Sequence, residues 1–250
     1  MADGKEVGAA AQVRSIFIYP LKSCRGVSVS EAPLSSTGFR WDRQWIVVNS
    51  KGRACTQRVE PSLALVEVEL PNEALLEDWE PNASSFLVSQ SRPTDPNYAP
   101  GYKIKFNDAY PFLLTSQKSL DLLNEQLKEP VSINRFRPNI LIDGSDPFCE
   151  DLWKDIKIGE NTFHSTELCY RCKVPTINQE TAEAGSEPSE TLMKFRSDEV
   201  LKTNKKPQGR IYFGQHLVWV DSLAQERKTI KVEDPVYVLK MVSSYVDVSV

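Results

Sequence analysis

The chain has 250 residues but only two histidines, His164 and His216, so a metal centre dominated by imidazole cannot be built within it. No apolar run approaches the length of a membrane span, and no span is expected. The opening residues, MADGKEVGAAAQVR, lack the apolar stretch of a secretory signal, and Asp3 and Glu6 argue against a transit peptide. There is no Gly-rich phosphate loop and no G-x-S-x-G elbow, which removes common nucleotide and acyl-transfer signatures. Net charge is −4, and the five tryptophans do not alternate with basic residues, so a nucleic-acid partner is not expected. Any anion site must therefore be a local cationic cluster.

Five cysteines, at 24, 55, 149, 169 and 172, are an odd number at irregular spacing. They do not form a disulfide framework, and they point to a reducing, intracellular compartment. What remains is ordinary globular composition, with enough length for one large domain or two small ones.

The periodicity predicts a mainly β protein with few short helices. Val13–Tyr19 reads as a strand ending at Pro20, with further strands over 26–31, 44–49 and 63–70. Residues 71–101 carry five prolines and read as a loop or linker, the candidate domain boundary. Beyond it, Ser116 is positioned as the N-cap of a helix over 117–127, with Leu120, Leu123 and Leu127 on one face. A strand is expected over 139–142. Gly159-Glu160-Asn161 is placed to turn a hairpin between 156–158 and 162–164. A short helix begins at Pro188 and Ser189, and strands over 211–213, 216–220 and 229–239 close the chain.

Four motifs could carry chemistry. In Cys169-Tyr170-Arg171-Cys172, Arg171 and Lys173 favour a thiolate, the form that binds soft metals or attacks as a nucleophile. Its readings are two core cysteines, a thioredoxin-like pair, a zinc site completed by His164 and His216, or another soft-metal ligand. Pro175 and the polar stretch after it do not open a helix, which disfavours the thioredoxin reading. Lys22, Ser23 and Arg25 follow the first strand, where a turn can aim donors at an anion, or else are ordinary surface groups. Arg43 could fork onto a phosphate with Asp42 orienting it, or simply form an internal pair with Asp42. Arg135 and Arg137 flank Phe136, and Pro138 is expected to hold Arg137 extended. The alternative there is a surface loop pairing with the acids of 144–151. Glu180, Glu183, Glu187 and Glu190 read as a solvated loop.

The ordered set YPLKSCRG, GFRWDRQW with TQRVEP, NRFRPNI, LCYRCKVPTIN, IYFGQH and IKVEDPVYVL resembles MOSC-domain proteins of the amidoxime-reducing-component type, relatives of the molybdenum cofactor sulfurase C-terminal part. The resemblance covers 13–70 and about 98–240. It implies a β-rich MOSC N-terminal domain over 10–95, shortened at 71–101, and a β-barrel MOSC domain over 96–248. It further implies the molybdenum cofactor (Mo-molybdopterin), with Cys172 as catalytic thiolate and metal ligand. By the same resemblance Lys22, Ser23 and Arg43 hold the cofactor, Arg137 and Asn139 contact the pterin, and Tyr170 and Arg171 flank the metal ligand. His216 lines the same site. The implied reaction is reduction of N-hydroxylated small molecules, amidoximes and similar compounds, to amines or amidines. Electrons would come from NADH through a b-type cytochrome and its reductase. The alternatives are a non-catalytic cofactor carrier and a sulfur-transfer protein with a persulfide on Cys172 or Cys169. Tyr170 stands where the family often has Ser, which would narrow the pocket. Without the membrane-anchoring segment of animal members, the expectation is a cytoplasmic monomer, with mitochondrial association as the other placement.

Overall fold

The computed structural model describes residues 8–75, 91–202, 206–220, 228–245 and 247. In its first strand, β1 (Ala11–Ile18), the inward residues are Ala11 and Val13, then Ile16 and Ile18. The alternation slips by one residue, and a bulge between Val13 and Ser15 absorbs the slip, so all four still face the core. β1 pairs antiparallel with β3 (Ile140–Asp143), which lies parallel to β2 (Phe112–Ser116). From β2 the sheet continues through β6 (Tyr212–Trp219), β5 (Asn161–Tyr170), β4 (Trp153–Ile158) and β7 (Pro235–Met241), which returns to β1. These seven strands form a closed barrel, so every one has two neighbours. The N-terminal strand thus completes a barrel whose other strands lie beyond residue 111.

Val13, Ile16, Phe112, Ile140, Ile156, Phe163, Leu217 and Trp219 fill its core. A second cluster, Leu120 and Leu123 from α1 (Gln117–Asn124) with Phe136, Phe148, Leu192 and Phe213, packs outside it. There the Phe136 and Phe213 rings stack with centroids 4.0 Å apart, which ties the loop before β3 to β6.

The fold is mainly β with short helices, as the periodicity implies, but several element bounds differ. Residues 63–70 form no strand: Pro61–Leu65 is a 3-10 turn that buries Leu63 and Ala64. Pro61 opens that turn with its fixed φ, and alternation alone supplied no partner strand. Strand 44–49 shrinks to Trp45–Ile46, parallel to Leu21–Lys22. Residues 26–31 divide between Val27–Val29 and Glu31–Ser35. Conversely, 211–213 and 216–220 merge into β6, which runs through Gly214 at φ +87°. The stretch 229–239 breaks at Glu233, φ +75°, into Thr229–Lys231 and β7. α1 stops at Asn124, whose side chain bonds both the Val131 N–H and carbonyl (2.9 and 3.1 Å). Ser116 stands at the N-cap position of α1, as expected, but it is buried at the end of β2 and makes no side-chain cap. Of the predicted linker, 76–90 lie outside the described residues. Its flanks hold a 3-10 turn at Asn72–Leu75 and a strand pair, Arg92–Pro93 with Lys103–Ile104.

The acidic run is more than a solvated loop. Glu180 pairs with Arg25 at 3.0 Å, and the Glu187 carboxylate accepts from both the N–H and the hydroxyl of Thr191 (3.0 and 2.9 Å). That anchors the first turn of α2 (Ser189–Phe195).

Candidate functional site

After β1, Tyr19 becomes the hub of the site. Its ring is buried and carries the Arg43 guanidinium at 4.5 Å and that of Arg137 at 4.3 Å from its centroid. Both distances lie within cation–π range. Burial pushes the Tyr19 hydroxyl up to about 12, against the pull of those cations, so it stays a neutral phenol. Gly26 makes room for it: a Cβ there would sit 2.4 Å from Tyr19 Cε1.

Asp42 is the buried anion that sets Arg43. Its carboxylate accepts from the Tyr19 N–H (2.9 Å), Asn107 Nδ2 (3.2 Å) and Arg43 Nη1 (2.6 Å). The internal Asp–Arg pair is real, yet Arg43 also donates to Asn139 Oδ1 and the Arg137 carbonyl, both at 3.1 Å. Asn139 is buried and spends its amide on structure, accepting from the Leu113 N–H (3.2 Å) and donating to the Phe17 carbonyl (3.3 Å).

Arg137 is not extended. Its φ is +54°, and Ser23 (+71°) and Arg43 (+47°) share the left-handed region. This conformation costs a non-glycine residue roughly 1–2 kcal/mol, which local preference cannot supply. Tertiary bonds impose it: the Arg137 carbonyl receives Arg43, and its Nη1 donates to the Cys24 carbonyl at 2.7 Å. Neither Arg135 nor Arg137 pairs with the acids of 144–151; Arg135 donates to the Pro175 carbonyl at 3.3 Å. Burial lowers Arg137 to about 10, so it remains cationic at neutral pH while bonded only to a carbonyl and a ring.

Lys22 reaches over from its short strand to the Phe106 carbonyl (2.7 Å) and the Asp108 carboxylate (2.5 Å). Ser23 is buried, and its carbonyl accepts from Gln57 Nε2 at 2.8 Å. The Gln57 and Gln179 amides bond each other (3.0 and 3.1 Å), joining the 55–58 loop to the segment after the cysteine motif.

The two motif cysteines differ. β5 is bulged between Ser165 and Leu168 and again before Tyr170, a device that re-aims side chains at a strand end. Cys169 is buried and accepts from Arg171 Nη1 at 2.9 Å, while Cys172 is exposed. Arg171 also donates to the Phe136 carbonyl at 2.8 Å, and its buried Nε has no partner. Tyr170 is exposed, its ring under the Arg210 guanidinium at 4.9 Å. His216 is buried in β6, its ring 5.0 Å from that of Tyr110.

One cavity of about 330 Å³ is lined by the nine residues that the family resemblance implies for the cofactor site: Lys22, Ser23, Arg43, Arg137, Asn139, Tyr170, Arg171, Cys172 and His216. Arg25, Asp42 and Arg135, also singled out from the sequence, do not line it. Thr56, Arg58, Asn107, Asp108 and Tyr110 line it too and were not singled out. For Thr56 and Arg58 the TQRVEP motif was a signal; Asn107 and Asp108 had none, because they come from the far side of the linker. The zinc set fails here. His164 is outside the cavity, with Nδ1 2.6 Å from Asp155, and no group of three or more His, Cys, Asp or Glu among the described residues could hold a metal ion. Nor does a helix follow Cys172; the chain makes a 3-10 turn at Val174–Thr176.

Residues 10–102 match the MOSC N-terminal beta barrel domain, and residues 101–237 match the MOSC domain. The chain belongs to the MOSC family. Among similar MOSC proteins, Mitochondrial amidoxime-reducing component 1 of Homo sapiens is 32% identical over 94% of this chain and 84% of the human protein. Its Xenopus laevis counterpart is 30% identical, covering 94% of this chain and 83% of that one. Molybdenum cofactor sulfurase of Oryza sativa subsp. japonica is 29% identical over 87% of this chain, but over only 34% of the sulfurase. The human alignment runs over 293 positions, more than the 250 residues here, so that relative carries residues this MOSC chain lacks.

Proposed function

We propose that this MOSC protein holds the molybdenum cofactor in its cationic cavity and reduces N-hydroxylated small molecules, amidoximes among them, to amines or amidines. The observation that carries the reading is the donor set: one exposed thiol, Cys172, shares a cavity with Lys22, Arg43, Arg137 and Arg171. The cations suit the phosphate of a pterin, and a thiolate suits a soft metal. Arg137, bonded to a carbonyl and to no carboxylate, is a site an anionic guest would satisfy.

In this reading Cys172 ligates molybdenum, and Lys22, Ser23 and Arg43 hold the cofactor from the N-terminal side. Arg137 faces the pterin from the other side, with Asn139 fixing Arg43. When bound, the cofactor supplies a two-electron redox centre. Lys22 exchanges its contact with Asp108 for the guest. Phe136 and Leu113 give the cavity apolar wall that limits water. Tyr170 narrows the side on which substrate approaches, and His216 lines the wall beside Tyr110. Electrons come from NADH through a b-type cytochrome and its reductase, as fits relatives named amidoxime-reducing components. Those names also favour mitochondrial association; no helix among the described residues is long and apolar enough to cross a membrane.

Protein made in a host that synthesises the cofactor is expected to carry near-stoichiometric molybdenum and pterin. Cys172→Ala should lose N-reduction. Zinc in place of molybdenum, or a Cys172→Ala protein as active as the parent, would sink the proposal. The match to the sulfurase favours a second reading, a cofactor carrier or sulfur-transfer protein. Cofactor bound without turnover under a working electron supply would select it.

A further inference from the structure

One imidazole–thiol pair in the cavity wall has no task in that scheme. His216 in β6 and Cys169 near the end of β5 lie on neighbouring antiparallel strands, and both line the cavity. They are 8% and 7% exposed, so neither is a surface group. Arg171 Nη1 donates to the Cys169 sulfur at 2.9 Å, and the thiolate and the imidazole attract each other electrostatically. His216 Nδ1 is buried with no hydrogen-bond partner. The other groups facing His216 are Glu167 from β5, Arg171 and the Tyr110 ring.

We propose that His216 is the general acid of the N-hydroxy reduction, and that Cys169, fixed by Arg171, is the positioning residue that keeps the proton on its ring. The inference rests on the reductase reading above. As two electrons arrive from the b-type cytochrome, the N–O bond breaks. The His216 proton goes to the departing oxygen, which leaves as water. A second proton, from solvent, goes to the nitrogen, and His216 is reprotonated from solvent. One N–OH, two electrons and two protons thus give one N–H and one water.

The electrostatics favour this division of labour. Burial alone would raise the Cys169 thiol, but Arg171 and then His216 outweigh it and hold it near 7. Burial likewise works against His216, yet the Cys169 thiolate and Glu167 raise it above its ordinary value. A proton affinity near the working pH is what a general acid needs.

The test combines kinetics of the molybdenum-loaded protein with NMR of the metal-free chain. The chain has only His164 and His216, so two imidazole titrations are resolved and His164 serves as internal reference. His216→Phe should lower kcat about 100-fold with molybdenum content and KM little changed, and flatten the neutral limb of the pH profile. Cys169→Ser should retain activity at acid pH, move the alkaline limb to lower pH, and lower the His216 NMR midpoint. The inference is overturned by a fully loaded His216→Phe protein with unchanged kcat and pH profile. It is also overturned by a His216 midpoint that Cys169→Ser leaves in place, or by loss of molybdenum from His216→Phe, which would make His216 a binding residue. Wild-type protein without molybdenum or N-reduction would instead overturn the reductase reading, while the NMR coupling of the pair would stand.

Discussion

Tyr19 gathers the cations of both halves on one ring, and its position depends on a neighbour with no side chain. A methyl group at Gly26 would overlap the ring edge, at 2.4 Å from Cε1. Gly26→Ala is therefore expected to push Tyr19 aside, to destabilise the fold by about 1–3 kcal/mol, and to release cofactor. Thermal melts with molybdenum analysis check this; an unchanged melt would show that the ring has room to move. Ser23 gives the opposite sign. At φ +71° a glycine removes about 1 kcal/mol of strain, so Ser23→Gly should raise the denaturation midpoint. A lowered midpoint would mean that the hydroxyl contributes more than the strain costs. Lys22, Arg43, Arg137, Arg171 and Cys172 were legible because their charge or thiol stood within a motif, whereas Arg58 and Asp108, equally charged, were not singled out. Tyr19 and Asp42 were legible only as letters within motifs, since an aromatic platform and a buried counter-ion acquire meaning from what stacks on them.

Two elements carry effects that belong to neither residue alone. β6 runs straight through Gly214 because β2 passes so close: a Cβ would lie 2.9 Å from the Leu114 carbonyl. Gly214→Ala should part these strands and cost more than about 2 kcal/mol, the strain of φ +87° adding to the clash. Chemical denaturation measures it, and a loss below half that figure would count against so tight a β2–β6 contact. The 3-10 turn Cys149–Leu152 buries Glu150, which accepts from Ser119 Oγ at 2.6 Å, next to the buried Asp151–Arg196 ion pair. Burial, and then the Asp151 charge, push Glu150 from its ordinary 4.5 up to about 8. Its folded value is raised, so its contribution is complete below about 4.5 and is lost as pH climbs towards 8. Glu150→Gln keeps the Ser119 bond without a charge to bury. Its melting temperature should gain on the parent between pH 5 and pH 8; a constant difference would refute the buried-carboxyl account.

At the scale of the molecule, β1 closes the barrel from the other end of the sequence. It fully buries Val13, Ile16 and Ile18, each contributing about 1.5–3 kcal/mol, a sum comparable to the 5–15 kcal/mol that holds a domain together. Deleting residues 8–18 also opens the edges of β3 and β7. The deletion is expected to give insoluble or aggregated protein, seen by gel filtration. A soluble monomer retaining cofactor would show that the barrel closes without its first strand.

The sequence by itself determined the mainly β character and the order of motifs that marks the MOSC family, through which the resemblance pointed to nine residues that line one cavity. Periodicity, thiols and guanidinium groups are local properties, and they survive reading one residue at a time. Only the tertiary structure decided that 63–70 is not a strand, because a strand exists only with a partner. It alone placed Arg137 in the left-handed region, where bonds to Cys24 and Arg43 outweigh the preference set by Pro138. It also separated the two motif cysteines into one buried beside His216 and one open to the cavity. Burial and the approach of distant charges are properties of the packed chain, and no window of sequence contains them.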